Sequence, residues 1–487
     1  MGVPRVKHLP HRAVRLHHIA HIILFLYNKG KRQVQACPIY GGCAYRADGE
    51  TRILLMNIKI RLTVMNFLEF AVWGAYLTSM GIFLAGAGFA DKIGWFYATQ
   101  GFVSLFMPAV MGIVADRWVP AQKMLGLCHL LAAAFMAGAA WLGSQSHICF
   151  ASLFTCYTLS VAFYMPTLAL SNSVAYTALR QQNLDTVKCF PPIRVFGTVG
   201  FIIAMWTTNF AHFAGSFTQW YFSAVLGIVL GAYCFTLPHC PTSTEKARTL
   251  GEALGLKAFA LFKEKKMAVF FIFSMLLGMS LQVTNGFAGP FITGFNTLAG
   301  YTGSWGANNA TALISLSQIS ETLCILLIPF FLKRYGIKKV MLISMLAWVL
   351  RFGLLGLGNP STAGGILMLV ASMIIYGVAF DFFNISGSLY VDQETDPSIR
   401  SSAQGVFMLM TNGFGAAIGS LAAQKVINCL VNVHLDPSQM VNGVYPQALS
   451  RQIMAGWSES WFVFAGFSLV VAVLFAWLFK YKHTVQS

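Results

Sequence analysis

Long apolar stretches recur along this 487-residue chain, separated by short polar connections. A spanning helix needs about 20 mainly apolar residues. Inside hydrocarbon every backbone amide must be satisfied within the structure, and stretches of this length do so as helices. Only 10% of the residues are charged and 56% are hydrophobic, against roughly 25% charged in soluble domains. The bilayer is therefore the solvent, and the fold class is an all-α membrane protein.

From Met56 the apolar spacing predicts twelve spans, near 60–84, 93–114, 123–144, 148–178, 192–212, 217–237, 267–293, 307–332, 338–357, 364–390, 400–423 and 458–479. Lys and Arg gather in alternate connections, which by the positive-inside rule places those connections and both termini in the cytoplasm. The net charge of +17 is thus a signal of topology rather than of nucleic acid, because the basic residues form no amphipathic face. The longest cytoplasmic connection, 238–266, holds six Lys or Arg and a short amphipathic stretch, EALGLKAFALFKEKK. It divides the spans into two six-helix halves, 56–240 and 267–487, with 241–266 as linker. MPAVMGIVADRWVPAQKML after span 2 corresponds to IPFFLKRYGIKKVMLI after span 8. In both, a Pro near the helix end leads into a basic tight turn, as a duplicated chain would show. Parallel six-helix repeats of this kind are the build of the major facilitator superfamily, whose substrate site lies at the midplane between the halves.

Residues 1–55 differ in kind, with nine Lys or Arg, five His and one apolar patch too short to span. The patch is followed by Lys29, Lys31 and Arg32 instead of a small-residue cleavage site, so it makes a poor signal peptide. The segment reads as an upstream start-site artefact or disordered tail, the alternative being a basic cytoplasmic tail held near anionic lipid. Ten Cys are scattered without a CxxC or a Cys/His cluster at ligand spacing. No metal or cofactor is implied. Neither HExxH nor GxSxG is present, which argues against a membrane enzyme. His129 in span 3 reads as a packing residue.

A polar side chain in a spanning helix needs a partner, a cavity or a function. Arg194, Thr198 and Phe201, at i, i+4 and i+7, share one face of span 5. Gln282 and Asn285 share a face of span 7, as do Gln318 and Glu321 on span 8. Span 10 offers Tyr376, Phe380 and Asp381, with Asn384 one turn on. Gly197, Gly200, Gly413, Gly415 and Gly419 permit close helix approach. Pro191 and Pro192 are placed to break span 5 just before Arg194.

Specific stretches carry a resemblance. Gly112-Ile-Val-Ala-Asp116-Arg117 resembles the loop 2–3 signature of the major facilitator superfamily, although Trp118-Val119-Pro120 replaces its basic continuation. YMPTLALSNSVAY, FPPIRVFGTVGFI, FFIFSMLLGMSLQVTN, SQISETL, YGVAFDFFNISGS and RSSAQGVFMLMTNGFG together resemble the nucleoside:proton symporter family of that superfamily. The resemblance runs from Met56 nearly to the C-terminus and leaves out residues 1–55.

The resemblance implies proton-coupled nucleoside uptake across a bacterial cytoplasmic (inner) membrane, with uridine or adenosine as substrates and no obligate protein partner. In the family, positions matching Arg194, Thr198, Phe201, Gln282, Asn285, Gln318, Glu321, Tyr376 and Phe380 line the nucleoside pocket. The chemistry suits such a ligand. Amides both donate and accept, so they can read a base edge or ribose hydroxyls, and rings can stack on a flat base. A nucleotide would instead want several cations for phosphate. For lone amides the competing reading is interhelical packing. A sugar or other neutral-solute symporter of the same superfamily is the alternative function.

The family links the position of Asp381 to proton coupling; the competing reading is a fixed ion pair with Arg194 or Arg351. Glu69 stands where relatives often carry Gln, so a second buried acid could carry the proton, pair with an Arg or alter selectivity. Asp116 and Arg117 would serve gating contacts, or else form a solvated turn.

Overall fold

The structure is a computed structural model, and it describes residues 49–241, 256–396 and 400–481. The segment 1–48, and with it most of the expected extension, lies outside the described residues, as does the greater part of the expected linker. Residues 54–487 form one compact unit. Among the described residues there is no β-strand, only two isolated bridges.

Before the linker the helices are α1 (Gly49–Gly74), α2 (Met80–Gly86), α3 (Ile93–Arg117), α4 (Ala121–Gly143), α5 (Phe150–Tyr164), α6 (Thr167–Gln181), α7 (Thr186–Phe210) and α8 (Thr218–Cys234). After it come α9 (Lys265–Gly294), α10 (Ala310–Leu357), α11 (Ala363–Glu394), α12 (Arg400–Met408), α13 (Ala416–Leu430) and α14 (Gln447–Leu478). Nine helical stretches among the described residues are long and apolar enough to cross a membrane. Large apolar side chains such as Leu326, Leu367 and Trp477 face outward, while Asn66, Glu69, His129, Arg351 and Asp381 are buried. That inversion of the soluble pattern is what a lipid solvent selects.

Several expected spans have internal breaks. The first is α1 followed by a turn and α2, and the fourth divides into α5 and α6 at Met165-Pro166. A seven-residue π-helical segment, Leu409–Gly415, joins α12 to α13; such widened turns tend to mark functional positions. The expected spans 307–332 and 338–357 run together as the 48-residue α10, which is broken at Gly336 with φ 76° and ψ 165°. Glycine tolerates that left-handed φ without a steric cost, and the flanking KRYGIKK is the basic turn read from the sequence.

Two expectations change. Pro191 and Pro192 do not break the helix, because α7 begins at Thr186 and carries both prolines in its second turn. There they remove two backbone donors without ending the helix. The final helix begins at Gln447 rather than near 458, its first turns being amphipathic instead of uniformly apolar.

Close backbone approach fixes the packing. Gly200 lies against the Phe67 backbone, where α7 crosses α1, and a Cβ at Gly415 would stand 2.6 Å from the Met275 carbonyl oxygen. Helices from the two sides of the linker are tied together at one end of the bundle. The Asn209 amide donates to the Asn309 side-chain oxygen at 2.8 Å, and Trp206 Nε1 donates to Ser315 Oγ at 2.8 Å. Gly94 N donates to Gln424 Oε1 at 2.6 Å, and Gln424 Nε2 donates to the Ala90 carbonyl at 2.9 Å. At the opposite end no hydrogen bond among the described residues joins α1–α8 to α9–α14. Among the described residues the hydrogen bonds between the two sides of the linker thus gather at the first end.

Candidate functional site

The polar side chains on α7, α10 and α11 converge inside the bundle. Arg194 extends from α7 over the ring of Phe70 on α1, its guanidinium carbon 3.8 Å from the ring centroid. Gly197, one turn on, leaves room for that stack, since a Cβ there would meet the Phe70 ring at 2.6 Å. A guanidinium on an aromatic face is held electrostatically while its edges stay free to donate. Glu321 on α10 and Glu69 on α1 both lie within electrostatic reach of Arg194. Arg194 and Glu321 come from opposite sides of the linker, and no ion pair within 4.0 Å joins them among the described residues.

Around Glu321 the second side is assembled. Tyr376 lies within electrostatic reach of Glu321, Asp381 and Arg351, with Gln318 beside its hydroxyl. Its ring stacks on Phe380 at 5.8 Å and 11°, and meets Trp348 edge-on at 6.0 Å and 88°. The i, i+4 spacing of Tyr376 and Phe380 on α11 puts the two rings on one face. Below, the Arg351 guanidinium lies 4.6 Å from the Tyr376 centroid and donates to the Ser372 carbonyl at 2.7 Å. Arg351 thus anchors Tyr376 from behind.

Asp381 is 4% exposed, and its Oδ2 has no hydrogen-bond partner among the described residues. No Arg nitrogen among the described residues lies within 4.0 Å of its carboxylate, so the fixed ion pair with Arg194 or Arg351 is not present in this conformation. Its acidic neighbour is Glu321.

The remaining expected pocket residues are less engaged. Phe201 is buried and meets Trp73 edge-on at 6.3 Å; Thr198 lies half-buried on the same helix. Gln282 on α9 is buried with its amide oxygen unpartnered, and Asn285 is half-buried one turn on. Neither amide makes a hydrogen bond to the Glu321–Tyr376 cluster among the described residues. A second cavity, lined by Leu281, Trp348, Phe380, Asn384 and Asn412 among others, opens beside Phe380. The side chains of Asp116 and Arg117, expected to serve gating contacts, lie outside the described residues.

Sequence reading missed two partners. His129, read as a packing residue, places Nε2 2.8 Å from Glu69 Oε2, and the Thr167 hydroxyl donates to Glu69 Oε1 at 2.6 Å. The signal was available: a lone His in the third apolar span and a lone Glu in the first each needed a polar partner. Among the described residues no three His, Cys, Asp or Glu side chains gather as a metal site.

Comparison with known proteins places this geometry. Residues 56–484 match the family described as nucleoside H+ symporter. The chain is 43% identical over 431 residues to the nucleoside permease NupG of Escherichia coli, covering 88% of this chain and 97% of that protein. It is 44% identical over 435 residues to the xanthosine permease of the same organism, covering 89% and 98%. A crystal structure of NupG superposes with a TM-score of 0.76 at 43% identity, covering 88% of this chain and all of that one. A peptide transporter of the POT family, 14% identical with a TM-score of 0.61 over 87% of this chain and 97% of its own, shares the fold alone. The fold is that of a multi-pass membrane transporter of the major facilitator type, and the chain belongs to the nucleoside H+ symporter family.

Proposed function

We propose that the protein takes up nucleosides, uridine and adenosine among them, together with protons across a bacterial cytoplasmic membrane. The observation that carries this reading is the stack of Tyr376 on Phe380 of α11, with Glu321 of α10 within electrostatic reach of both Tyr376 and Arg194 of α7. A neutral, flat, hydroxylated solute needs such a set: rings for the base, and amides and a carboxylate for its donors. In this reading Arg194, Thr198, Gln282, Asn285, Gln318 and Glu321 make polar contacts, and Phe201, Tyr376 and Phe380 form the aromatic walls. Asp381 carries the proton, with Glu69 as a second acid. Twelve spans in two six-helix halves rock about the pocket, both termini are cytoplasmic, and Asp116 and Arg117 serve the gate. No bond is made or broken, so the protein is a carrier and not an enzyme.

The test is uptake into proteoliposomes with an acidic exterior. Labelled uridine or adenosine should accumulate above its external concentration and collapse when a protonophore removes the gradient. Failure of every nucleoside to accumulate under that gradient overturns the reading.

A further inference from the structure

The cavity beside Phe380 lies between α9, α10, α11 and the π-helical segment Leu409–Gly415. Leu281, Trp348, Phe380 and Phe383 give it apolar and aromatic walls, broken by the carboxamides of Asn384 and Asn412. It leaves about 20 Å³ for the centres of water molecules, room for one or two. Gly278 on α9 lies directly against the Thr411 backbone, so that side of the cavity is held by main chain and not by movable side chains.

Neither amide is used by the fold. Asn384 is half-buried, and its carboxamide makes no hydrogen bond among the described residues. Asn412 has only the Met408 sulfur, 3.9 Å from its Nδ2. Amides that serve as interhelical glue bond across helices, and these two do not bond to each other. Thr411, by contrast, commits its hydroxyl to the Phe407 and Met408 carbonyls at 3.0 and 3.2 Å. Asn412 is exposed within a spanning stretch. An amide turned to lipid is costly, and Asn412 is instead turned to this cavity.

Position along α11 supplies the occupant. Tyr376, Phe380 and Asn384 follow at i, i+4 and i+8 on one face, and a rise of about 1.5 Å per residue sets Asn384 about 12 Å beyond Tyr376. Gln318 stands beside the Tyr376 hydroxyl at the other end. A nucleoside laid along the Phe380 ring, its ribose toward Tyr376 and Gln318, directs the far edge of its base at the cavity. A pyrimidine in that pose ends one ring short. The added ring of a purine has apolar faces that suit Trp348 and Phe380. Its edge carries a ring nitrogen and an exocyclic group, and a carboxamide, which donates and accepts at once, can pair with both. We infer that the cavity is a purine subsite, in which Asn384 and Asn412 read the distal base edge that a pyrimidine does not reach. The inference rests on the proposed nucleoside reading and adds the residues that set purine against pyrimidine affinity.

The experiment is equilibrium binding of adenosine, purine riboside and uridine to the purified protein, purine riboside being adenosine without its exocyclic amino group. Asn384→Leu keeps the size of the side chain and removes its amide; Asn412→Ala removes the other. Each should raise the Kd of adenosine relative to that of uridine by roughly three- to ten-fold. Each should also narrow the gap between adenosine and purine riboside. Thr411→Val touches the same cavity but removes a hydroxyl already committed to its own helix, so it should leave both ratios as they are. Structural damage alone weakens all three ligands together. The inference is therefore overturned where both amide variants weaken adenosine and uridine in equal proportion or keep the unmodified ratios, or where Thr411→Val shifts the ratios as far. Absence of binding of all three ligands to the unmodified protein would instead reject the nucleoside reading. Two separate amide variants guard against one of them failing to fold, which elution from a sizing column would reveal.

Discussion

Asn209 and Asn309 join side chain to side chain at 2.8 Å, fastening the last turn of α7 to the first residue before α10. The Asn209 side-chain Oδ1 also accepts from the Ala312 backbone N–H at 3.2 Å. In the proposed topology, with both termini cytoplasmic, this end faces outward, and alternating access then requires these bonds to break when the site opens there. Asn209→Ala removes two bonds, each contributing about 1 kcal/mol net, and should raise the outward-open population roughly thirty-fold. Ser315, the acceptor for Trp206 and buried here, provides the probe. A Ser315→Cys variant should react faster with a membrane-impermeant maleimide applied outside when Asn209 is also Ala. Unchanged reactivity would remove the Asn209 contact from the outer gate.

Asp381 should separate exchange from accumulation. Its carboxylate is buried, lacks a basic partner within 4.0 Å among the described residues and neighbours Glu321. A buried carboxyl without a fixed counter-ion is free to gain and lose a proton as its surroundings change. Asp381→Asn keeps the size and removes the charge. Labelled uridine should still equilibrate by counterflow in proteoliposomes, while accumulation driven by an acidic exterior disappears. Accumulation at the unmodified level would move the coupling role to another acid.

Much of this is legible in the sequence. Apolar spacing located the helices, and the KRYGIKK turn with Gly336 marked the break inside α10, because both follow from local composition. The start of α14 was not legible, since QALSRQIMAGWSES is too polar to read as a span. Helix faces placed Arg194 with Thr198 and Phe201, and Tyr376 with Phe380, because i, i+4 and i, i+7 spacings are local. The pairing of Glu69 with His129, and of Arg194 with Phe70, depends on which helices are neighbours. One sequence contains the need for such partners but not their register.

Arg351 should support Tyr376 rather than bind solute directly. Its guanidinium lies 4.6 Å from that ring and is fixed by the Ser372 carbonyl at 2.7 Å. Lysine is a compact point charge without the planar fork, so it cannot reproduce both contacts. Base stacking on an aromatic ring contributes about 1–3 kcal/mol. Tyr376→Ala should therefore raise the uridine KM by about five-fold or more, Tyr376→Phe should do so much less, and Arg351→Lys should fall between them. Uptake kinetics for the three variants test the order. A Tyr376→Phe loss as large as that of Tyr376→Ala would assign the effect to the hydroxyl and Gln318 instead of the ring.

Gly200 and Gly466 give the sharpest contrast in packing. Gly200 lies where α7 meets the Phe67 backbone of α1, whereas a Cβ at Gly466 on α14 would meet nothing within 4 Å. Backbone cannot move aside as a flexible side chain can, so Gly200→Ala must push the two helices apart. That movement would also disturb Gly197 and the Phe70–Arg194 stack one turn away. Gly466→Ala only removes backbone freedom from a helix, which favours folding by roughly 0.5–1 kcal/mol. Melting in detergent should therefore fall for Gly200→Ala and hold or rise for Gly466→Ala. Uridine binding should weaken only in the first variant, because only there does the displaced helix carry Arg194. Equal melting temperatures for the two variants would mean that α1 and α7 are free to separate at this crossing.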